Sequence, residues 1–351
     1  MNRSIKKTLA YLTATTIVVA LLYLSINRLV QMEYHYARMQ MGTVVEITVF
    51  GPGSSADEER YDRLADASFG VIDRLEALFS SYQATSDISR INRSAGTGPV
   101  KVDPEVVFVV ARALEIAEKS GGAFDPTIGI MKQVWSFSGE KERLIPSPAE
   151  VAALLELVDY RQITVDREAG TVALGKAGMA INLGGLAKGY IVGQAVKILK
   201  EGGITRGIVK AGGDMVVFDA EKGPFMIGLQ HPRREDTLIG ELSFTNEAIA
   251  TSGDYERFTI REGVRYHHIL DPATGFPARG TQAVTLLSQD PTLADALSTT
   301  VFVLGPAQGM ALIESLPNVE GMIIDGEGKI ATSPGLKDRL TLKESKKKGG
   351  E

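Results

Sequence analysis

No cysteine occurs anywhere in the 351 residues of this chain. That excludes disulfide frameworks, cysteine zinc sites, thiol nucleophiles and lipid anchoring through a cysteine. Neither sign of charge is in large excess, since 38 basic residues meet 43 acidic ones for a formal net charge of −5. Nucleic-acid binders carry a basic stripe, and nothing in this balance asks for such a partner. The common catalytic signatures are missing too: no GxxxxGKS/T phosphate loop, no GxGxxG after a strand, no GxSxG elbow and no HExxH. ATPase, dinucleotide dehydrogenase, serine esterase and zincin readings therefore lose their sequence support. No internal repeat is visible, and no linker is long enough to split the body.

One long uncharged run is present. Arg3, Lys6 and Lys7 precede Thr8–Asn27, which holds no charged residue and is rich in Leu, Ile, Val and Ala. A helix of about 20 residues spans roughly 30 Å, the thickness of a bilayer's hydrocarbon core. The early basic residues stay in the cytoplasm, which sends the rest of the chain outward. Residues 24–28 (LSINR) show no small-residue cleavage pattern, so 1–27 reads as an uncleaved anchor, with a signal peptide as the alternative.

Residues 28–40 read as a polar linker and 41–340 as one catalytic body. The run 341–351 reads as a charged tail with no structure of its own. Alternation in 41–50 predicts a strand, and apolar spacing in 57–79 predicts a helix using Leu64, Phe69, Ile72, Leu75 and Leu78. The stretch 79–92 (FSSYQATSDISRIN) reads as a loop, followed by a helix over 104–119. Another helix is expected over 148–158, a strand over 172–183, and a helix from Gly184–Gly185 to Lys200. Short strands follow from 207 to 287, then helices from Asp290 to Phe302 and 308–315, then strands at 321–324 and 330–332. Helices mixed with short strands, without a regular β-α-β rhythm, predict an α+β fold with mostly antiparallel sheets.

Polar clusters embedded in glycine carry the candidate chemistry. In Ile181–Tyr190 (INLGGLAKGY) a strand passes into a helix through Gly184 and Gly185, where backbone can approach a ligand closely. A helix N-terminus offers N–H groups to an anion, and Lys188 adds a formal charge. The plainer alternative is tight strand–helix packing with an exposed lysine. In Tyr266–Gly275 (YHHILDPATG) two of the chain's four histidines stand together, with Asp271 three residues beyond His268. An imidazole near a carboxylate suits proton transfer, although a pair of histidines that is merely hydrogen-bonded gives the same pattern. In Asp290–Thr300 (DPTLADALSTT) Asp295 and Thr299 are one helical turn apart on one face. Two hard oxygens suit Mg²⁺, while dipole and backbone-carbonyl interactions would explain them without a metal.

In this order the segments resemble the ApbE family, the FAD:protein FMN transferases. The likeness runs from Met41–Gly42–Thr43 through 79–92, 121–127 (GGAFDPT), 181–190, 211–214 (AGGD), 250–258 (ATSGDYERF), 268–277 (HILDPATGFP) and 295–305 (DALSTTVFVLG). The resemblance implies a Mg²⁺-dependent enzyme. It would split FAD, place FMN on a Thr or Ser hydroxyl of a target flavoprotein as a phosphoester, and release AMP. It further implies that Asp295, Thr299 and a carbonyl near Gly185 hold the metal. Met41, Tyr82, Ala123, Phe124, Asp125, Asn182, Lys188 and Ile269 would line the FAD site. His268, with help from Asp271, would handle the acceptor's proton. Acceptors in the family include outward-facing subunits of redox complexes, which implies a body on the periplasmic side of a bacterial inner membrane. One departure stands out: many members carry Asp where this chain has Asn182, and an amide keeps the hydrogen bonding but not the charge.

Overall fold

The computed structural model describes residues 32–137, 145–219 and 222–343, with Thr13, Thr15 and Thr16 besides. The anchor expected over 1–27, apart from those three threonines, and residues 344–351 of the expected tail lie outside the described residues.

The strands in chain order begin with β1 (Met32–Gln40), β2 (Thr43–Gly51), β3 (Val100–Lys101), β4 (Ile163–Asp166) and β5 (Thr171–Leu174). They continue as β6 (Arg206–Ala211), β7 (Asp214–Asp219), β8 (Phe225–Gln230), β9 (Leu238–Phe244), β10 (Glu247–Gly253) and β11 (Phe258–Arg261). The last are β12 (Val264–His267), β13 (Thr281–Ser288), β14 (Val319–Asp325), β15 (Ile330–Thr332) and β16 (Leu340–Leu342). The α-helices are α1 (Ser55–Phe79), α2 (Asp87–Arg93), α3 (Pro104–Lys119), α4 (Pro148–Leu155), α5 (Ala187–Glu201) and α6 (Pro291–Ser315).

The main sheet has the order β1-β2-β6-β7-β10-β13-β14-β15, and its pairings are antiparallel throughout. Alternation decides which face each residue serves. Val216 and Ala248 turn toward the helices, while Val217 and Ile249 turn toward the small sheet β16-β9-β8 with its Phe225, Leu229, Leu242 and Phe244. β13 is covered on both sides and is buried over all eight residues. The α+β expectation therefore holds.

The helices form where sequence favours them. α1 starts at Ser54, whose hydroxyl accepts from Asp57 N–H at 3.2 Å, and it buries Tyr61, Ala65, Phe69, Ile72, Leu75 and Phe79. Burying one such side chain contributes about 1.5–3 kcal/mol, and this stripe holds α1 in the main core. α3 and α6 each begin Asp-Pro, with Asp103 accepting from Glu105 N–H and Asp290 from Thr292 N–H. α6 is kinked at Gly305 (φ 77°), followed by Pro306, which accounts for the two helices expected there. It is long and apolar enough to cross a membrane, yet Val301, Phe302 and Ile313 bury it against Val284, Leu286 and Ile323 of the sheet.

Four expectations need correction, the briefest being the tail, whose first residues Thr341 and Leu342 belong to β16 and pair with β9. The linker expected over 28–40 is a strand from Met32 onward, paired with β2 along its whole length. β1 is an edge strand, where polar residues are tolerated. Its inward side is held by Tyr34 against the Tyr61 ring (4.9 Å between centroids) and by Gln40 Nε2 donating to Phe69 O at 3.0 Å. The loop over 79–92 contains α2, capped by Ser86 accepting from Ser89 N–H at 3.0 Å. The strand expected over 172–183 ends at Leu174. The chain beyond is held from outside the sheet: Asn92 brackets Ile181, accepting from its N–H at 2.8 Å and donating to its carbonyl at 3.0 Å.

Candidate active site

Two turns and a strand end gather at one end of the main sheet. They are the β1–β2 tip at Met41–Gly42, the β6–β7 turn at Gly212–Gly213, and the end of β10 at Ser252–Gly253. Val45 lies opposite Ala211, and Ala250 opposite Asp214, so pairing register fixes their proximity. α5 and α6 bring their N-terminal halves to the same end. They approach closely because Gly189 lacks a side chain: a Cβ there would overlap the Pro291 carbonyl and stand 2.8 Å from Asp295 Cβ.

This convergence places Lys188 between two acids. Its Nζ pairs with Asp214 and lies 3.9 Å from Asp295 Oδ1. Both carboxylates are 3% exposed. Burial works against the ammonium's charge, but Asp214 and then Asp295 outweigh it and hold Lys188 above its ordinary range. Burial, followed by repulsion from Asp214, pushes the Asp295 carboxyl well above the usual carboxylate range, although Lys188 and the Gly189 N–H oppose it. Two buried acids thus share one ammonium, and Asp295 tends to keep its proton unless a further cation stands beside it.

The expected metal ligands lie at this site. Asp295 and Thr299 lie one turn apart on α6, and Gly185 is beside Thr299, since a Cβ on it would stand 3.3 Å from Thr299 Oγ1 and 3.2 Å from Phe124 Cε2. Ser252 Oγ touches Thr299 Oγ1 at 3.4 Å and Ser298 Oγ at 2.8 Å. Among the described residues there is no cluster of three or more His, Cys, Asp or Glu side chains able to hold a metal unaided. A set with one carboxylate leaves positions to water and phosphate, as Mg²⁺ prefers.

The other expected residues divide. Asn182 Oδ1 accepts from Gly184 N–H at 2.7 Å and shapes the glycine turn. The Asp125 carboxylate is engaged by its own surroundings: it accepts from Thr127 N–H (2.8 Å), Thr127 Oγ1 (2.5 Å) and Tyr160 N–H (2.9 Å). Burial raises its carboxyl despite those donors. Ala123 is half-buried and, with Asp125 and Asp271, lines an open cleft of about 680 Å³ together with Tyr160, Val303 and Gln308. Lys188, Asp214, Asp295 and His268 do not line that cleft. Tyr82 is 79% exposed, with Lys132 Nζ 3.7 Å from its ring centroid and bonded to Ser81 Oγ. Burial, then the Arg257 charge, pulls the Lys132 ammonium down to about 8.

His268 follows β12 and is exposed, with its N–H donating to Arg257 O at 3.1 Å. Desolvation, then Arg257 and His267, pulls the imidazole down to about 4, so it is neutral at physiological pH. Ile269 is buried, and its N–H donates to His267 Nδ1 at 3.3 Å. His267 Nε2 therefore donates to Ala278 O at 2.9 Å, a tautomer fixed by both partners. The help expected from Asp271 has no contact behind it. Its carboxylate accepts from Ala273 N–H (2.8 Å) and Thr274 Oγ1 (3.2 Å) and closes its own turn instead.

Two residues of the site went unassigned by sequence reasoning. Asp214 stood in a glycine turn (AGGD) and Arg257 in the stretch 250–258. The signal for Asp214 was an acid placed directly after Gly212–Gly213, the first of which has φ +59°.

Comparison with known proteins agrees with this arrangement. The ApbE family matches residues 41–323. An FAD:protein FMN transferase of Treponema pallidum is 31% identical over 329 residues, covering 88% of this chain and 89% of that protein. One from Klebsiella pneumoniae is 30% identical over 293 residues, covering 83% and 89%. Among solved structures, the ApbE protein of Thermotoga maritima superposes with a TM-score of 0.80 at 34% identity, covering 88% of this chain and 99% of that one. Flavin transferase ApbE from Vibrio cholerae does so with a TM-score of 0.78 at 26% identity, covering 89% and 100%. Sequence, fold and the joining of the Lys188, Asp214, Asp295 and Thr299 side chains at one sheet end thus lead to one assignment: the chain belongs to the ApbE family.

Proposed function

We propose that this chain is an FAD:protein FMN transferase that moves FMN from FAD to a Thr or Ser hydroxyl of a target flavoprotein, with Mg²⁺ bound. The observation that carries the reading is the pair of buried carboxyl groups, Asp214 and Asp295, around a single Lys188, beside Thr299 and Gly185. Asp295, Thr299 and the Gly185 carbonyl would hold the metal. When bound, Mg²⁺ supplies charge neutralisation to phosphate oxygens.

The chain's own residues do the rest. The acceptor's hydroxyl oxygen attacks the FMN phosphorus. A new P–O bond forms there, the anhydride P–O bond breaks, and AMP leaves with the bonding electron pair. The hydroxyl proton goes to a ring nitrogen of His268, which is neutral and so able to take it. Lys188 keeps the two acids in place, and the Asn182–Gly184 turn presents backbone to the substrate. The Tyr82 ring offers an exposed aromatic face.

His268 is open to solvent, so water can replace the hydroxyl, and FAD hydrolysis to FMN and AMP is the competing reaction. Incubation with FAD, Mg²⁺ and a candidate acceptor, followed by denaturation, separates the two. Flavin fluorescence retained on the acceptor, with one AMP released per flavin bound, supports transfer; AMP without protein-bound flavin supports hydrolysis. No AMP under any condition leaves only an FAD-binding protein. The acceptors we propose are flavoproteins facing the periplasm, reached by a catalytic body that residues 1–27 tether to the membrane. Protease accessibility of the body in intact spheroplasts tests that placement.

A further inference from the structure

Lys188 is the cation that sequence reasoning assigned to the substrate's phosphates, but two carboxylates already engage it. Arg257 is different. Among the described residues no carboxylate pairs with its guanidinium, and the charged groups it acts on most clearly are positive or basic: Lys132, Lys188 and His268. An exposed arginine without a partner is ordinary on a convex surface. This one lies beside the Gly42 turn and is tied through its carbonyl to His268, where an anionic group of the substrate would give it a partner.

Its position is also fixed from two sides. The Arg257 carbonyl accepts the His268 N–H at 3.1 Å, which ties the residue to the proposed base. Its Nη2 lies 3.7 Å from where a Cβ of Gly42 would stand. Gly42 (φ 69°) and Met41 (φ 53°) are both left-handed, and their tight turn brings bare backbone to the guanidinium. The β1–β2 tip and the β12 end, both expected at the FAD site, are thus bridged by one free cation. Lys132, near enough to feel its charge, extends the positive surface toward Tyr82.

We propose that Arg257, rather than Lys188, grips the substrate's diphosphate, with Lys188 confined to holding Asp214 and Asp295. The proposal rests on the transferase reading above and adds a binding residue to it. A guanidinium presents paired N–H donors to phosphate oxygens, which an ammonium cannot. Here Arg257 would act in ground-state binding as well as in transfer.

The test is flavin binding by the whole protein, metal-free in EDTA, followed by flavin fluorescence. FAD and riboflavin are the probes, and wild type, Arg257→Gln and Arg257→Lys the proteins. Expected is an FAD affinity at least about tenfold weaker in Arg257→Gln, as for a lost charged hydrogen bond, with riboflavin binding unchanged and Arg257→Lys in between. Loss of riboflavin binding to the same degree would make Arg257 a general structural residue and overturn the proposal. So would an unchanged FAD affinity in Arg257→Gln where wild type binds FAD; that outcome leaves the transferase reading standing. Failure of wild type to bind FAD at all, with or without Mg²⁺, would overturn both.

Discussion

The backbone N–H of Gly189 donates to Asp295 Oδ2 over 2.9 Å, fastening the first turn of α5 to the first turns of α6. Lys188, one residue earlier, reaches the other oxygen of the same carboxylate at 3.9 Å. The approach depends on a hydrogen where any other residue has a Cβ. Gly189→Ala is therefore expected to force the helices apart, at a cost of about 1–3 kcal/mol or more. Urea unfolding measures that cost, and the Mg²⁺ response of transfer should weaken in parallel. An unchanged unfolding midpoint would show that the contact yields easily.

Lys188→Gln should be worse for the fold than for any single ligand contact. It leaves Asp214 and Asp295, both 3% exposed, without their shared ammonium. Breaking a buried pair by removing one partner costs about 3–5 kcal/mol, and partial exposure of Lys188 favours the lower end. The metal-free variant should melt several degrees below wild type, and saturating Mg²⁺ should recover part of the loss. Equal melting temperatures would deny the shared-charge picture.

His268→Ala should keep FAD affinity and lose transfer by about 10²–10⁴-fold. The imidazole is pulled from 6.5 down to about 4, so it remains unprotonated as pH falls through the ordinary histidine range. The acid limb of transfer should accordingly lie below pH 6, whereas an unperturbed histidine would lose its base form near 6.5. A variant that fails to bind FAD would make His268 a binding residue.

Asn182 tests how much the departure from the commoner Asp matters. Its Oδ1 accepts a hydrogen bond from Gly184 N–H, and an N–H can only donate, so either an amide or a carboxylate oxygen serves. Asn182→Asp should change stability by less than about 1 kcal/mol, while Asn182→Ala, leaving the turn's N–H without its acceptor, should cost about 1–2 kcal/mol. Thermal unfolding of the pair compares them directly.

Much of this was legible in the sequence because local patterns carried it. The apolar stripe of α1, the Asp-Pro starts of α3 and α6, and the one-turn spacing of Asp295 and Thr299 are all short-range features. What escaped was tertiary. β1 is polar because only one edge is paired, and α2 is too short to show a period. Residues 175–183 look like a strand but are held by Asn92 and Pro126 rather than by a ladder. Asp271 looked like the natural partner of His268 three residues away, yet its own turn takes the carboxylate first. The acid that matters more, Asp214, reaches Lys188 only through the register of β6, β7 and β10.

The central claim is that a divalent cation on Asp295 and Thr299 handles the diphosphate of FAD. A Mg²⁺ titration of acceptor flavinylation, wild type against Asp295→Ala, tests it most directly. Wild type should show saturable Mg²⁺ dependence, and Asp295→Ala should stay inactive even at high Mg²⁺ while remaining folded. Full transfer by Asp295→Ala at low Mg²⁺ would contradict the account.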